Sequence, residues 1–299
     1  VGGGTTSGGG TTNSAEIYDP AANSWTLINP LMTARANATA ALLQDGRVLI
    51  AGGDNAGVPT NTIEIYDPST GNFSLAATLA TSRTQHAMAV LQDGRVLIAG
   101  GFDGTNPVAS SDIYDPSSGN ISAGPDLATA RYAASATTLL NGDVAIIGGA
   151  GSDGNGGTTD LASIEIFDSS SVAFKSAGGS LATARQGHQA FLLPNNNAVL
   201  IVGGTSGGAA QTSAELLTPR ISTSDGTWSY AISAIGAMTS ARAGLTGSAN
   251  KSNGPTSVVS PKAGYLIVGG GTAGWLSAAF LTRGEYRSSL ACSPWAFVG

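Results

Sequence analysis

The sequence predicts an all-β repeat protein, and three recurring features support this prediction. An apolar run ends in a pair of glycines six times, at intervals of about 48 to 66 residues. A tight-turn sequence precedes several of these runs, and an acidic, aromatic segment follows most of them. The glycine pairs are Gly3/Gly4, Gly52/Gly53, Gly100/Gly101, Gly148/Gly149, Gly203/Gly204 and Gly269/Gly270.

The first half of each unit is predicted to be a hairpin of two strands. An arginine opens the unit and is followed by an apolar strand, and Asp45-Gly46 then supplies the signal of a two-residue turn. The second strand, as in Val96–Ala99, is apolar without interruption, which favours an inner strand covered on both faces. The repeated arginines are Arg35, Arg83, Arg131, Arg185 and Arg242.

The second half of each unit supplies two further strands. A variable loop leads to a third strand such as Ile63–Asp67, which ends at an Asp-Pro pair because proline cannot donate to a strand ladder. A bulky apolar residue six positions after the aspartate, such as Phe73, marks a fourth, outer strand. An acid recurs inside the third strand, at Glu16, Glu64, Asp112, Glu165 and Glu215.

As a set these motifs resemble the kelch repeat, and the resemblance covers nearly the whole chain. It implies a kelch-type β-propeller, in which four-stranded antiparallel blades pack around a central channel. We expect one domain, 1–299, with six blades. The repeat units run roughly over 1–31, 32–79, 80–127, 128–181, 182–238 and 239–299.

The propeller ring could be closed in three ways, because the first unit begins at the end of its second strand and its blade needs further strands. We expect a C-terminal strand near 294–299 to complete the first blade. A strand from a neighbouring molecule could fill the same place. In a third solution, the N-terminal strands complete the blade that contains Gly269, which gives five blades and leaves 271–299 as an appendage.

Composition excludes several classes of function. Charged residues make up 11% of the chain and the net charge is -6, so neither nucleic acid nor an anionic membrane surface is an expected partner. The single cysteine, Cys292, excludes an intramolecular disulfide framework and a cysteine-based metal site. No apolar run approaches the length of a membrane helix. The Gly-, Ser-, Thr-, Ala- and Asn-rich composition is typical of secreted bacterial proteins and predicts an extracellular or cell-surface location.

The repeated residues are interpreted as structural. Five arginines and five acids recur together, and pairs of arginine and carboxylate within or between blades would explain why every unit keeps both. The glycine pairs end strands in the same way in each unit. We therefore predict no catalytic residue and no cofactor among them.

The variable loops contain the candidate binding residues. The loops after the glycine pairs are rich in side-chain oxygens, which leaves calcium open as a ligand although each loop has few carboxylates. The two histidines occupy the same repeat position, where a shared rim could bring them to a ligand. The candidates are Asp54, Asn55, Phe102, Asp103, Asp153, Asn155, His86 and His188.

Three functional hypotheses follow. The first is a non-catalytic extracellular module that binds a glycan or a protein through the variable rim loops. The second is a structural subunit that assembles by strand exchange at the open first blade into a filament, sheath or surface layer. The third, which the kelch resemblance implies, is an enzyme acting on sugars, of the mutarotase, epimerase or oxidase type, although no residue set identifies its reaction.

Overall fold

A computed structural model describes residues 2–19, 21–193, 197–248 and 266–270, the last segment and 244–248 as backbone. All regular structure in these residues is β, which confirms the predicted fold class. Four antiparallel four-stranded sheets form complete blades, numbered two to five after the repeat units. Two-stranded sheets precede and follow them.

The strands follow in chain order. The first half-blade contains β1 (Ala15–Asp19) and β2 (Ser24–Ile28). Blade two contains β3 (Thr39–Leu42), β4 (Val48–Ala51), the small hairpin β5 (Asp54–Asn55) and β6 (Val58–Pro59), β7 (Thr62–Asp67) and β8 (Asn72–Thr78). Blade three contains β9 (Ala87–Val90), β10 (Val96–Ala99), β11 (Ser111–Asp115) and β12 (Asn120–Ala123).

Blades four and five have longer loops. Blade four contains β13 (Ser135–Thr138), β14 (Val144–Ile147), the hairpin β15 (Ala150–Ser152) and β16 (Thr158–Asp160), β17 (Ser163–Asp168) and β18 (Ala173–Ser180). Blade five contains β19 (Gln189–Leu193), β20 (Ala198–Val202), the hairpin β21 (Thr205–Ser206) and β22 (Ala209–Ala210), β23 (Ala214–Ile221) and β24 (Trp228–Ile235). The last half-blade contains β25 (Ala243–Ser248) and β26 (Leu266–Gly270).

Each complete blade is a meander, with its first strand innermost. The first strands β3, β9, β13, β19 and β25 contact one another in series, so they lie nearest the propeller axis. The second strand pairs with the third in one register in all four blades. Matched partners are Ile50 with Glu64, Ile98 with Asp112, Ile146 with Glu165, and Ile201 with Glu215.

The core lies between blades. On β10, Val96 and Ile98 pack into the cluster between blades two and three, whereas Leu97 and Ala99 pack into the cluster between blades three and four. Both faces of the second strand are therefore buried, as its unbroken apolar sequence predicts. A single blade would expose both of these faces, so neighbouring blades stabilise one another.

The first half-blade keeps the strand register of the complete blades. Gly2 forms an antiparallel bridge with Ala15, in the register that Ala51 and Ile63 occupy in blade two. The sheets β1–β2 and β25–β26 are separate in the described residues. Closure by 294–299, by five blades or by a second molecule stays a prediction, and both 294–299 and the rest of 271–299 lie outside the described residues.

The glycine pairs allow two blades to approach closely. Gly100 has a φ of 67°, and a Cβ atom there would overlap the carbonyl oxygen of Arg131 in the linker to the next blade. Gly101 donates its N–H to that same carbonyl at 2.7 Å. A side chain would disrupt this contact, which explains why the pair recurs at the end of each second strand.

The second glycine of each pair has a packing role in addition to its place at the strand end. Gly53 and Gly149, with φ values of 91° and 97°, lie beyond the ends of β4 and β14. The N–H of Gly53 donates to the carbonyl oxygen of Arg83 in the next linker at 3.0 Å. A Cβ atom on Gly53 would lie 2.5 Å from the carbonyl oxygen of Ala36, and one on Gly149 would lie 2.6 Å from that of Tyr132, both in the linker of the same blade. The second glycine therefore packs between two linkers.

We expect Gly100→Ala to lower the free energy of unfolding by about 2–4 kcal/mol, from left-handed backbone strain and overpacking together. Gly119→Ala is the matched control, because Gly119 has a φ of 73° with open space around its Cβ position. The control should lose only about 1–2 kcal/mol. Urea unfolding measures both, and equal losses would contradict the close approach.

Candidate functional site

The propeller presents two different faces. One face carries the loops between second and third strands together with the linkers between blades, and we call it the loop face. The other carries the short hairpins that join first to second and third to fourth strands, such as the turn at Asp45-Gly46, and we call it the hairpin face. The candidate binding loops all lie on the loop face.

On the loop face, a buried arginine anchors the linker that enters each of the four complete blades. Arg131 donates to the carbonyl oxygen of Ser163 at 3.1 Å, to its Oγ at 2.9 Å and to Glu165 Oε1 at 2.6 Å. Glu165 in turn accepts the backbone N–H groups of Ala128 and Thr129, at 2.7 and 3.1 Å. The pair thus fastens the incoming linker to the third strand of its own blade.

The same ion pair is present in all four complete blades, always within one blade. At most 6% of any of these side chains is exposed. Burial lowers the pKa of Arg131, yet arginine stays charged because its ordinary pKa is above 12. The pairs are Arg35–Glu64, Arg83–Asp112, Arg131–Glu165 and Arg185–Glu215.

Two of the repeated residues lie outside these four pairs. Glu16 is exposed on β1, and Arg242 is half-buried before β25. The carbonyl of Arg242 accepts the N–H of Gly204 at 3.0 Å, as the other linker arginines do for their glycine pairs. In the complete blades, the repeated charges are paired and buried and do not lie on the surface of the loop face.

The histidines correct one sequence-based expectation. His86 and His188 are only 3% and 4% exposed, so they are not rim residues. Nε2 of His86 shares a hydrogen bond with Thr39 Oγ1 at 2.5 Å, and Nε2 of His188 shares one with Ser135 Oγ at 2.9 Å. Each ring therefore crosses from its own blade to the first strand of the preceding blade.

Burial controls the charge of both imidazoles. Desolvation, together with the nearby cation of Arg83, lowers the pKa of His86 to about 3, and Arg35 adds to the effect. Desolvation and Arg185 lower the pKa of His188 to about 3. Both rings are therefore neutral at physiological pH.

The predicted acidic loop residues mostly serve their own loops. Asp54 is 9% exposed and accepts hydrogen bonds from Asn37, Gly57 and Thr84, so it is not available on the rim. This corrects the expectation for Asp54. Asn55 lies at the surface, where its Oδ1 accepts from Thr11.

Asp103 and Asp153 bind backbone N–H groups of the turns that they begin. Asp103 accepts from Thr105 and Asn106, each at 2.7 Å, and Asp153 accepts from Asn155 at 2.8 Å and from Gly157 at 2.9 Å. Within the described residues, no three His, Cys, Asp or Glu side chains gather into a group that could hold a metal ion.

One backbone position on the loop face carries different side chains in each blade. The residue after each buried arginine forms an antiparallel bridge with the residue that follows the glycine pair. The backbone geometry repeats, but the side chains range from aliphatic to aromatic to polar. The bridged pairs are Ala36–Asp54, Thr84–Phe102, Tyr132–Ala150 and Gln186–Thr205.

Three of these variable residues join the strand β16 in a surface across blades three to five, which we call the rim strip. The rings of Phe102 and Tyr132 are in contact, Tyr132 bonds Thr158, and Gln186 bonds Asp160. The strip consists of Phe102, Tyr132, Thr158, Thr159, Asp160 and Gln186. Of this set, only Phe102 was among the binding residues predicted from the sequence. The signal for Tyr132 and Gln186 was available, since both directly follow a repeated arginine and differ from their repeat equivalents.

The comparisons with known proteins agree with this geometry. A model of the kelch motif matches residues 1–32 and 35–80. The solved structure of YjhT superposes on the chain with a TM-score of 0.63 at 18% identity, over 78% of this chain and 79% of that one. The fold is a kelch-repeat β-propeller.

The kelch repeat thus accounts for the blade structure. No curated protein matches the chain. Across the part of the chain that the structure describes, there is no helix with the length and apolar character needed to cross a membrane.

Proposed function

We propose that this kelch propeller is an interaction module that binds its ligand on the loop face. One observation carries the proposal: four blades repeat the same backbone bridge beside the same buried ion pair, yet each presents a different pair of side chains there. A rigid scaffold with variable loops is the usual arrangement of a binding surface. Binding to partners is also the general role of kelch propellers.

The composition supports an extracellular location for this module. The chain has few charged residues, and the repeated charges of its four complete blades are buried in ion pairs. This location is part of the proposal, and secretion of the full-length protein by its native host would test it.

The test of the proposed function compares the two faces. A loop-face variant combines Phe102→Ala, Tyr132→Ala and Gln186→Ala, and a hairpin-face control combines Gln44→Ala and Asp93→Ala. Both are screened against the same arrays of immobilised glycans and of purified secreted proteins. We expect the loop-face variant alone to lose the ligands of the parent protein. Loss in the hairpin-face variant alone would overturn the proposal.

A further inference from the structure

We infer that the rim strip is a saccharide-binding site. The inference rests on the proposed function and specifies the chemical class of its ligand. Two features of the strip support it: a fixed aromatic pair on blades three and four, and a polar cleft between blades four and five. The features are adjacent, so one extended ligand can contact both.

The aromatic pair provides the apolar part of the site. The ring centroids of Phe102 and Tyr132 are 5.4 Å apart and the rings are inclined at 57°. Both residues are half-buried, and the bridge of Thr84 to Phe102 and that of Tyr132 to Ala150 fix their backbones. The faces of aromatic rings are electronegative, and they attract the polarised C–H groups on one side of a pyranose ring.

The cleft provides the polar part. It has a volume of about 400 Å³ and is lined by Thr158, Thr159, Asp160, Gln186 and the segment 206–208. Most lining groups are hydroxyl, amide and backbone groups, which both donate and accept hydrogen bonds as sugar hydroxyls do. This volume is within the range of small-molecule sites.

Asp160 is held in place for such a role. Its Oδ1 accepts from Gln186 Nε2 at 2.8 Å, and its Oδ2 accepts from the N–H of Gly207 at 2.6 Å. A carboxylate has about four acceptor positions, so both oxygens keep capacity for a ligand hydroxyl. The two donors also offset the negative charge, which suits a neutral polyol.

The two features meet at a direct contact. The hydroxyl of Tyr132 donates to Thr158 Oγ1 at 3.4 Å, which joins the aromatic pair to the edge of the cleft. The strip includes no lysine or arginine and only one acid, so an anionic ligand has no cation to bind there. An oligosaccharide that stacks on Tyr132 and extends to Gln186 matches this order of groups.

The experiment uses the purified chain and the hexasaccharides of glucose, N-acetylglucosamine, xylose and mannose as probes, with calorimetry and saturation-transfer NMR as readouts. We expect at least one probe to bind at millimolar or lower concentration. Tyr132→Ala and Gln186→Ala should each weaken this binding about tenfold or more. Tyr132→Phe should retain most of it, because the stacking face remains.

Two controls keep the outcome interpretable. Trp228→Ala removes an aromatic side chain that is 37% exposed on the outer strand of blade five, and it should leave binding unchanged. Thr158→Trp, at an exposed position, blocks the strip if Tyr132→Ala proves unstable. Thermal unfolding of every variant shows that it is folded.

The failures of the two proposals are distinguishable. Absence of binding by all four hexasaccharides overturns the saccharide inference, while a secreted protein whose binding is lost in Tyr132→Ala would still support the proposed function. Saccharide binding that neither Tyr132→Ala nor Gln186→Ala changes overturns the assignment of the strip. Loss of saccharide binding only in a hairpin-face variant overturns both.

Discussion

Glu165→Gln is expected to lower the free energy of unfolding by about 3–5 kcal/mol. The substitution keeps the shape of the side chain but leaves the Arg131 guanidinium as a buried cation without its counter-ion. Arg131 and Glu165 are 1% and 6% exposed at their side chains, so water cannot replace the lost partner. Glutamine also has an NH2 group in place of one carboxylate oxygen. One of the backbone N–H groups of Ala128 and Thr129 therefore loses its acceptor.

The chain contains a matched control for this prediction. Arg95 and Asp93 form an ion pair at 2.7 Å on the hairpin face, where their side chains are 35% and 51% exposed. Asp93→Asn should change the free energy of unfolding by less than about 1 kcal/mol, since exposed pairs contribute little. Urea unfolding at one pH measures both variants. Similar small losses would show that the buried pairs do not fasten the linkers.

The two buried histidines are expected to lower the free energy of unfolding in mild acid. The pKa of His86 and that of His188 lie near 3 in the folded protein, against an ordinary value of 6.5 in the unfolded chain. Below pH 6.5 the unfolded state therefore binds more protons than the folded state, so stability falls as pH falls towards 3. Each histidine contributes a slope of up to about 1.4 kcal/mol per pH unit.

The repeat itself supplies the variant that tests this slope. The interface between blades three and four places alanines, Ala87 and Ala134, at the positions where the neighbouring interfaces have a hydroxyl and a histidine. The double variant Thr39→Ala/His86→Ala copies that interface. Urea unfolding from about pH 7.5 to about pH 5 should show half of the parent slope, because carboxylates titrate mainly below this window.

The corresponding double variant at Ser135 and His188 should behave in the same way, and the combination of both should have almost no slope in this window. A parent protein whose stability does not change across the window would contradict the burial of neutral histidines. So would an unchanged slope in the combined variant.

Repetition made much of the scaffold predictable. A glycine pair, an arginine and an acid that recur together at fixed spacing have to occupy equivalent places in equivalent blades. The strand order, the inner position of runs such as Val96–Ala99 and the pairing of Arg83 with Asp112 follow from that rule. Each repeat served as an independent observation of the same structure.

Repetition alone did not reveal why each residue recurs. The sequence predicts that Gly53 and Gly149 each follow a strand, as they do. Each glycine also packs against a linker that is distant along the chain, and the sequence does not predict this contact. A close approach of two backbones leaves no signal other than the glycine itself. The packing of Gly53 against Ala36, and of Gly149 against Tyr132, therefore needed the structure.

The candidate site was harder to predict because it consists of the residues that do not repeat. Tyr132 and Asp160 are 28 residues apart, and Gln186 belongs to the next unit, so only the packing of blades brings them together. The histidines show the converse problem. Their polar side chains suggested a surface role, whereas each ring is buried in an interface, where its Nε2 shares a hydrogen bond with a hydroxyl on the preceding blade.

The most direct test of the central claim is amide hydrogen exchange of the whole chain, with and without the array ligand that binds most tightly. We predict slower exchange on the loop face, within 102–106, 130–134, 150–160, 184–187 and 205–210. Slower exchange confined to the hairpin face, at 44–47 or 92–95, would contradict it.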